Sequence, residues 1–133
     1  MTAQAFGDVR EVLARVARET AGLDLLVLFG SRARGGAHDG SDWDLAYLAA
    51  AHMDPAALRG RLVEALRTDR VDLVDLARAS GLLRYRAARD GQLVYEARAG
   101  VSDEFQFEAV RFWCDAGPVL QRGYEDVLAE LPR

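Results

Sequence analysis

The sequence predicts an α/β domain in which a small mixed sheet of about four strands packs against helices. Two apolar runs, residues 23–29 and 43–48, are too short for typical helices and are typical of buried strands. Apolar residues at three- and four-residue spacing lie on both sides of these runs, which indicates amphipathic helices. Two further short strands are predicted at residues 70–76 and 92–96, the second of them at an edge of the sheet.

Two helices are predicted in the first half of the chain. The first covers residues 3–20 and is expected to stop at Gly22. The second begins with Asp54 as its N-cap and Pro55 at its first helical position, and it runs to about Arg67.

The second half of the chain predicts two more helical segments. One spans residues 77–90 and ends at Gly91. The other, at about residues 102–131, is expected to bend or break at Gly117-Pro118. Five aromatic side chains in this region are predicted to pack in the core, and any that stay exposed would mark a partner surface: Phe105, Phe107, Phe112, Trp113 and Tyr124.

Composition restricts the class of protein. A chain of 133 residues with a 50% hydrophobic and a 29% charged fraction is predicted to be a single domain, residues 1–133, with its core at about 23–96. The net charge of −4 argues against general nucleic-acid binding. No apolar run approaches the ~20 residues of a membrane span, and the N-terminus does not look like a signal peptide, so we expect a cytoplasmic protein. The single cysteine, Cys114, excludes an internal disulfide and is predicted to be buried among its aromatic neighbours.

A glycine- and arginine-rich loop, residues 30–42, follows the first predicted strand. Gly30 would let the backbone turn sharply and approach a ligand, and the Ser31 hydroxyl could donate to a phosphate oxygen. Arg32 and Arg34 could add charge-assisted bonds to the same phosphates. On its own such a loop more often serves only as a connection.

Paired aspartates follow this loop and favour a functional role for it over a simple connection. Asp42 and Asp44 are two residues apart, so a strand would place them on one face. Asp72 lies in a later strand that should pair beside theirs, and three converging carboxylates suit two Mg²⁺ ions about 4 Å apart. Asp75 is the alternative third carboxylate, although its odd spacing from Asp72 should turn it to the other face.

Less in the sequence links the remaining polar candidates to a function. His38 and His52 are predicted to be solvated loop residues, and no role is assigned to either. Arg84, Arg86 and Arg89 form a basic cluster that is predicted to be a solvated helix face, with a partner contact as the alternative.

These motifs together resemble a known family. Gly30-Ser31, ten intervening residues and Asp42-Trp43-Asp44 resemble the GSx10DxD signature of the polymerase-beta-like nucleotidyltransferase superfamily. The later RVDLVDL and GQLVYE segments and the aromatic C-terminal helix extend the resemblance to the MntA-type antitoxins of HEPN/MNT toxin–antitoxin pairs.

The resemblance implies a minimal nucleotidyltransferase fold that uses ATP and two Mg²⁺ ions. In that family the positions of Asp42 and Asp44 bind both metals, and the position of Asp72 binds the metal that activates the acceptor hydroxyl. These three aspartates are therefore the expected catalytic and metal-binding residues. AMP would be transferred with release of pyrophosphate.

The resemblance also implies the nucleotide contacts and the partner. The Gly30-Ser31 position holds the β- and γ-phosphates, Arg34 matches the family's arginine in GSxARG, and Arg32 falls at a variable position. The acceptor would be a tyrosine hydroxyl on a HepT-like HEPN toxin, a helical ribonuclease, in a hetero-oligomer with the antitoxin.

Two other functions stay open at this point. The chain could be a non-catalytic antitoxin that inhibits the toxin by binding alone. It could also be a nucleotidyltransferase that acts on a small molecule such as an aminoglycoside, although the chain is short for the extra substrate-binding structure which that activity needs.

Overall fold

The computed structural model describes residues 3–30 and 42–115, which form four helices and four strands. The helices are α1 (Ala3–Arg18), α2 (Pro55–Leu66), α3 (Gly81–Asp90) and α4 (Val101–Asp115). The strands are β1 (Leu23–Phe29), β2 (Trp43–Ala49), β3 (Val71–Asp75) and β4 (Gln92–Glu96). The predicted mixture of helices and strands is therefore confirmed.

The four strands form one mixed sheet in the order β3-β2-β1-β4. β1 lies antiparallel to β2 and β4, whereas β2 and β3 are parallel. The parallel pair follows from the connection, because α2 carries the chain back to the start of the sheet between the two strands. β4 is an edge strand, as predicted, and β3 is the other edge.

Each face of the sheet is covered by a different pair of helices. Alternation along β1 sends Leu26 and Leu28 to one side, where they pack with Leu13 of α1 and Leu62 of α2. The intervening residues, with Ala46 of β2, face the other side and pack against α3 and α4. The central strand β1 is thus buried on both faces, which explains its continuous apolar sequence.

The predicted start of α2 is confirmed in its details. The Asp54 side chain accepts hydrogen bonds from the backbone N–H groups of Ala56 and Ala57, at 3.0 and 3.3 Å, and Pro55 occupies the first helical turn. The helix ends at Leu66 because Arg67 adopts a left-handed conformation with φ 56°.

The prediction that α3 begins at residue 77 was wrong by four residues. The Asp75 carboxylate accepts a hydrogen bond from the N–H of Ala77 at 2.9 Å and so holds a turn there. Ser80 is the true N-cap, since its hydroxyl accepts from the N–H of Leu83 at 3.2 Å. The predicted end at Gly91 is confirmed.

Other boundaries differ from the predicted ones by one or two residues. α1 stops at Arg18 rather than residue 20, where the Thr20 hydroxyl donates to the Val16 carbonyl at 2.7 Å. β3 is shorter by one residue at each end than the predicted 70–76, and α4 begins at Val101, one residue before the predicted start.

The aromatic residues of α4 divide between the core and the surface. Phe105 is buried and Trp113 stacks on Tyr85 with ring centroids 5.2 Å apart, as the packing prediction required. The prediction was wrong for Phe107 and Phe112, which are 66% and 51% exposed. Phe107 lies two residues after Phe105, so the helical period turns it away from the sheet.

Cys114 is exposed, and the prediction of a buried thiol was wrong. α4 contacts the sheet through Val101, Phe105 and Ala109, and the same period places Cys114 on the outer side of the helix. Gly117-Pro118 and Tyr124 lie outside the described residues. Within the described ranges, no helix combines the length and apolar character needed to cross a bilayer.

Candidate active site

The register of the parallel strands places two of the predicted aspartates side by side. Asp44 of β2 is the pairing partner of Asp72 of β3. Paired residues on neighbouring strands lie about 4.8 Å apart and direct their side chains to the same face. That face is the one covered by α3 and α4, because Ala46, two residues after Asp44, packs there. The sheet therefore presents two carboxylates together near the start of β2 and β3.

The other two aspartates lie in different positions relative to this pair. Asp42 directly precedes β2 and is exposed, two residues before Asp44. Asp75 is paired with Tyr47, on the opposite face from Asp72, and with Arg78 it helps to line a separate cavity of about 380 Å³. Asp75 is thus turned away from Asp44 and Asp72, and Asp72 is the candidate third carboxylate.

Gly30 directly follows β1 and lies beside Asp44. Its φ of +76° lies in the left-handed region that side chains rarely adopt. A Cβ atom at this position would lie only 2.2 Å from Oδ2 of Asp44. Gly30 therefore leaves the space in which the Asp44 carboxylate sits, and the two predicted motifs meet at this contact.

The donor chemistry and the backbone geometry of this site fit a hard divalent cation. Carboxylate oxygens on one face are the ligands that Mg²⁺ prefers, and the space beside Gly30 is shaped around one of them. Among the described side chains, no three acidic, histidine or cysteine groups already converge as a metal-binding set. Asp42 and Asp72 are both exposed, and like-charged carboxylates repel one another when no cation lies between them.

Several predicted residues fall outside the described residues, namely Ser31, Arg32, Arg34 and His38. His52 is exposed, as predicted, and follows the opposite end of β2 from Asp44.

In the basic cluster on α3, Arg86 and Arg89 are exposed, as predicted, whereas Arg84 is partly buried. Arg84 donates to the Leu76 carbonyl at 3.2 Å and lies over the Phe105 ring, 5.6 Å from its centroid. Arg89 forms a two-bond pair with Asp90 at 2.8 and 2.9 Å.

Arg59 was not among the predicted site residues, although it contacts the segment that carries Asp72. Its guanidinium donates to the carbonyls of Asp69 and Val71. No sequence signal distinguishes it from Arg61, another arginine of the same helix, because the target is backbone that only the fold brings near.

The chain matches the family model described as polymerase beta, nucleotidyltransferase, over residues 11–99. It is 34% identical over 113 residues to the protein adenylyltransferase MntA of Aphanizomenon flos-aquae, a match that covers 74% of each chain.

Solved structures give the same assignment over most of the chain. A toxin–antitoxin structure with AMP-PNP has a TM-score of 0.74 and 29% identity, and the match covers 90% of this chain and 98% of that one. A structure of the tri-AMPylated HEPN toxin of Shewanella oneidensis in complex with MNT antitoxin has a TM-score of 0.70 and 27% identity, covering 92% and 98%. The architecture is that of the minimal nucleotidyltransferases.

The enzyme class follows from the family match, the MntA relative and these structures together. This chain belongs to the polymerase beta nucleotidyltransferase family and, within it, to the MntA-type protein adenylyltransferases.

Proposed function

We propose that this protein is an antitoxin that transfers AMP from Mg²⁺-bound ATP to a tyrosine hydroxyl of a HEPN-type toxin and so silences a ribonuclease. The observation that carries the proposal is the pairing of Asp44 with Asp72 beside Gly30. This arrangement joins the two halves of the nucleotidyltransferase motif at one corner of the sheet. The similarity to structures of toxin–antitoxin complexes, one of them with an AMP-modified toxin, supports the choice of a toxin as the acceptor protein.

The reaction is a substitution at the α-phosphorus of ATP. The acceptor oxygen forms a bond to that phosphorus, the bond to the oxygen bridging the α- and β-phosphates breaks, and pyrophosphate leaves with that oxygen. The phenolic proton is lost to solvent. Two Mg²⁺ ions, when bound, would make the hydroxyl easier to deprotonate and neutralise charge on the phosphates.

The chain's own residues supply position and charge. Asp42, Asp44 and Asp72 would hold the two Mg²⁺ ions, and Gly30 keeps the space beside Asp44 open. Ser31 and Arg34 would contact the β- and γ-phosphates, with Arg32 as a further contact. Such positioning accounts for most of the rate in phosphoryl-type transfers, because the protein contributes little covalent chemistry.

The surface of α4 is the proposed contact with the toxin. Phe107 and Val110 are 66% and 41% exposed on its outer side, and Asp103, Glu104 and Glu108 add acidic groups to the same helix. A ribonuclease binds RNA through a basic surface, so an apolar stripe among acidic groups complements it. We place the complex in the cytoplasm as a hetero-oligomer.

Co-expression with the toxin, followed by mass spectrometry of the toxin, tests the proposal. We expect the toxin mass to rise by whole AMP units, and the rise to disappear when Asp42 and Asp44 are both replaced by Asn. A tight complex without any added mass would instead support a purely binding antitoxin. AMP transfer to an aminoglycoside but not to the toxin would support the small-molecule enzyme.

A further inference from the structure

The segment before Asp72 is held by three hydrogen bonds from outside the segment. Three successive backbone carbonyls accept one bond each. The carbonyls of Asp69 and Val71 accept from Nη2 and Nε of Arg59 at 3.0 and 3.2 Å. The carbonyl between them, that of Arg70, accepts from the N–H of Trp43 at 2.8 Å.

The two residues that donate these bonds, Trp43 and Arg59, lie on different elements. Trp43 is the first residue of β2, so its bond belongs to the sheet. Arg59 lies on α2 and reaches the backbone of β3, which is an edge strand and has a strand neighbour on one side only. Arg59 therefore holds carbonyls that the sheet does not hold.

One of the two bonds acts directly on Asp72. The carbonyl of Val71 and the N–H of Asp72 belong to the same planar peptide unit. Fixing the direction of that carbonyl therefore fixes the plane of the peptide unit that carries the N–H of Asp72, and it supports the position that strand pairing with Asp44 gives to this residue. A guanidinium that bonds two carbonyls at once sets this orientation more firmly than a single bond would.

We propose that Arg59 is a positioning residue which holds Asp72 in the register needed for a metal ligand opposite Asp44. The inference rests on the proposed role of Asp72 in binding Mg²⁺. Arg59 would act through the backbone carbonyls that it bonds, those of Asp69 and Val71. Groups that orient metal ligands change metal affinity about 10- to 100-fold when they are removed.

Arg61 provides a matched control on the same helix. Its guanidinium donates to the Glu19 carbonyl at 3.3 Å and to the Thr20 hydroxyl at 2.9 Å, and it pairs with the Glu19 carboxylate at 3.2 Å. It thus fastens α2 to the end of α1 rather than to β3. Loss of Arg61 would weaken packing of the same helix without freeing Asp72.

The experiment compares Arg59→Ala, Arg59→Lys, Arg61→Ala and Asp72→Asn with the unchanged protein. Mn²⁺ binding without nucleotide, measured by electron paramagnetic resonance, is the first readout. The Mg²⁺ concentration that gives half-maximal AMP transfer is the second, and hydrogen exchange of the amides at residues 70–73 is the third. Circular dichroism establishes which variants are folded.

We expect Arg59→Ala to weaken Mn²⁺ binding and to raise the Mg²⁺ requirement by about tenfold. Amide exchange at residues 70–73 should become faster. Arg59→Lys should fall between this variant and the unchanged protein, because an ammonium cannot bond both carbonyls in a fork, and it serves as the test if Arg59→Ala does not fold. Arg61→Ala should leave metal binding unchanged.

Unchanged metal binding in folded Arg59 variants, with metal binding lost in Asp72→Asn, would overturn this inference alone. An equal loss in Arg61→Ala would also overturn it, since the effect would then follow general stability. If Asp72→Asn itself binds metal normally, the proposed role of Asp72 fails independently of Arg59.

Discussion

At the scale of a single residue, the structure gives two reasons for the glycine at position 30. Its positive φ and its closeness to the Asp44 carboxylate are two separate demands, one from the backbone and one from the neighbouring strand. The sequence predicted the turn and the approach to a ligand, whereas the contact with Asp44 depends on the β1–β2 pairing of Phe29 with Asp44.

We predict that Gly30→Ala lowers the free energy of unfolding by about 1–3 kcal/mol, because the new side chain is strained and meets Asp44. AMP transfer should fall with it, since Asp44 must move. Urea denaturation and a transfer assay measure the two effects. Gly60→Ala is the control: it lies inside α2 with open space around it and should gain about 0.5–1 kcal/mol. Equal stability of the two variants would contradict the prediction.

Tyr47 is a second single residue with a property that depends on the fold, a raised hydroxyl pKa. Burial raises the pKa of its hydroxyl above the ordinary 10.0, the charge of Asp75 raises it further, and Arg78 acts in the opposite direction. The unfolded chain therefore loses this proton at lower pH than the folded protein. The corresponding stability is complete below the unfolded pKa and is lost as pH rises through the folded value.

We predict that the free energy of unfolding falls as pH rises above about 10, and that Tyr47→Phe falls less steeply over this range. The comparison requires urea denaturation at several alkaline pH values. Parallel curves for the two proteins would show that Tyr47 does not contribute to the slope.

The α4 helix illustrates the element scale, because it carries apolar residues on two sides. Its inner side, with Phe105 and Ala109, packs against the sheet. Its outer side exposes Phe107 and Val110, so the helix buries only part of its apolar surface in this chain. A purely internal role does not require an exposed phenylalanine on an otherwise well-packed helix.

We predict that Phe107→Ser weakens binding of the toxin at least tenfold, which corresponds to about 1.4 kcal/mol, and leaves the stability of the free protein almost unchanged. Titration calorimetry and urea denaturation separate these two effects. Phe105→Ala, on the inner side, should instead cost about 3–5 kcal/mol of folding stability. Normal toxin binding by Phe107→Ser would exclude this surface as the contact.

At the scale of the whole molecule, the proposed site joins parts of the chain that are far apart in sequence. β1 and β2 meet at Gly30 and Asp44, and β3 adds Asp72 from beyond α2. Only the folded chain brings these residues together, so a ligand that binds there binds only the folded state. Its binding should therefore raise the free energy of unfolding.

We predict that Mg²⁺ with a non-hydrolysable ATP analogue stabilises the protein by about 2.7 kcal/mol at 100 times its dissociation constant. Thermal unfolding with and without the ligand measures this gain. The variant with Asn at positions 42 and 44 should show no gain. A gain in that variant equal to that of the unchanged protein would place the ligand elsewhere.

The sequence alone determined the fold class, the strands, the N-cap of α2 and the motif residues. These are local properties, since periodicity, capping and turn chemistry act over a few neighbouring residues. Only the tertiary structure decided which carboxylate stands beside Asp44, that Phe107 and Cys114 face outward, and that Arg59 holds the backbone before Asp72. Those features depend on strand register and on which side of a helix meets the sheet, and both arise from contacts between residues distant along the chain.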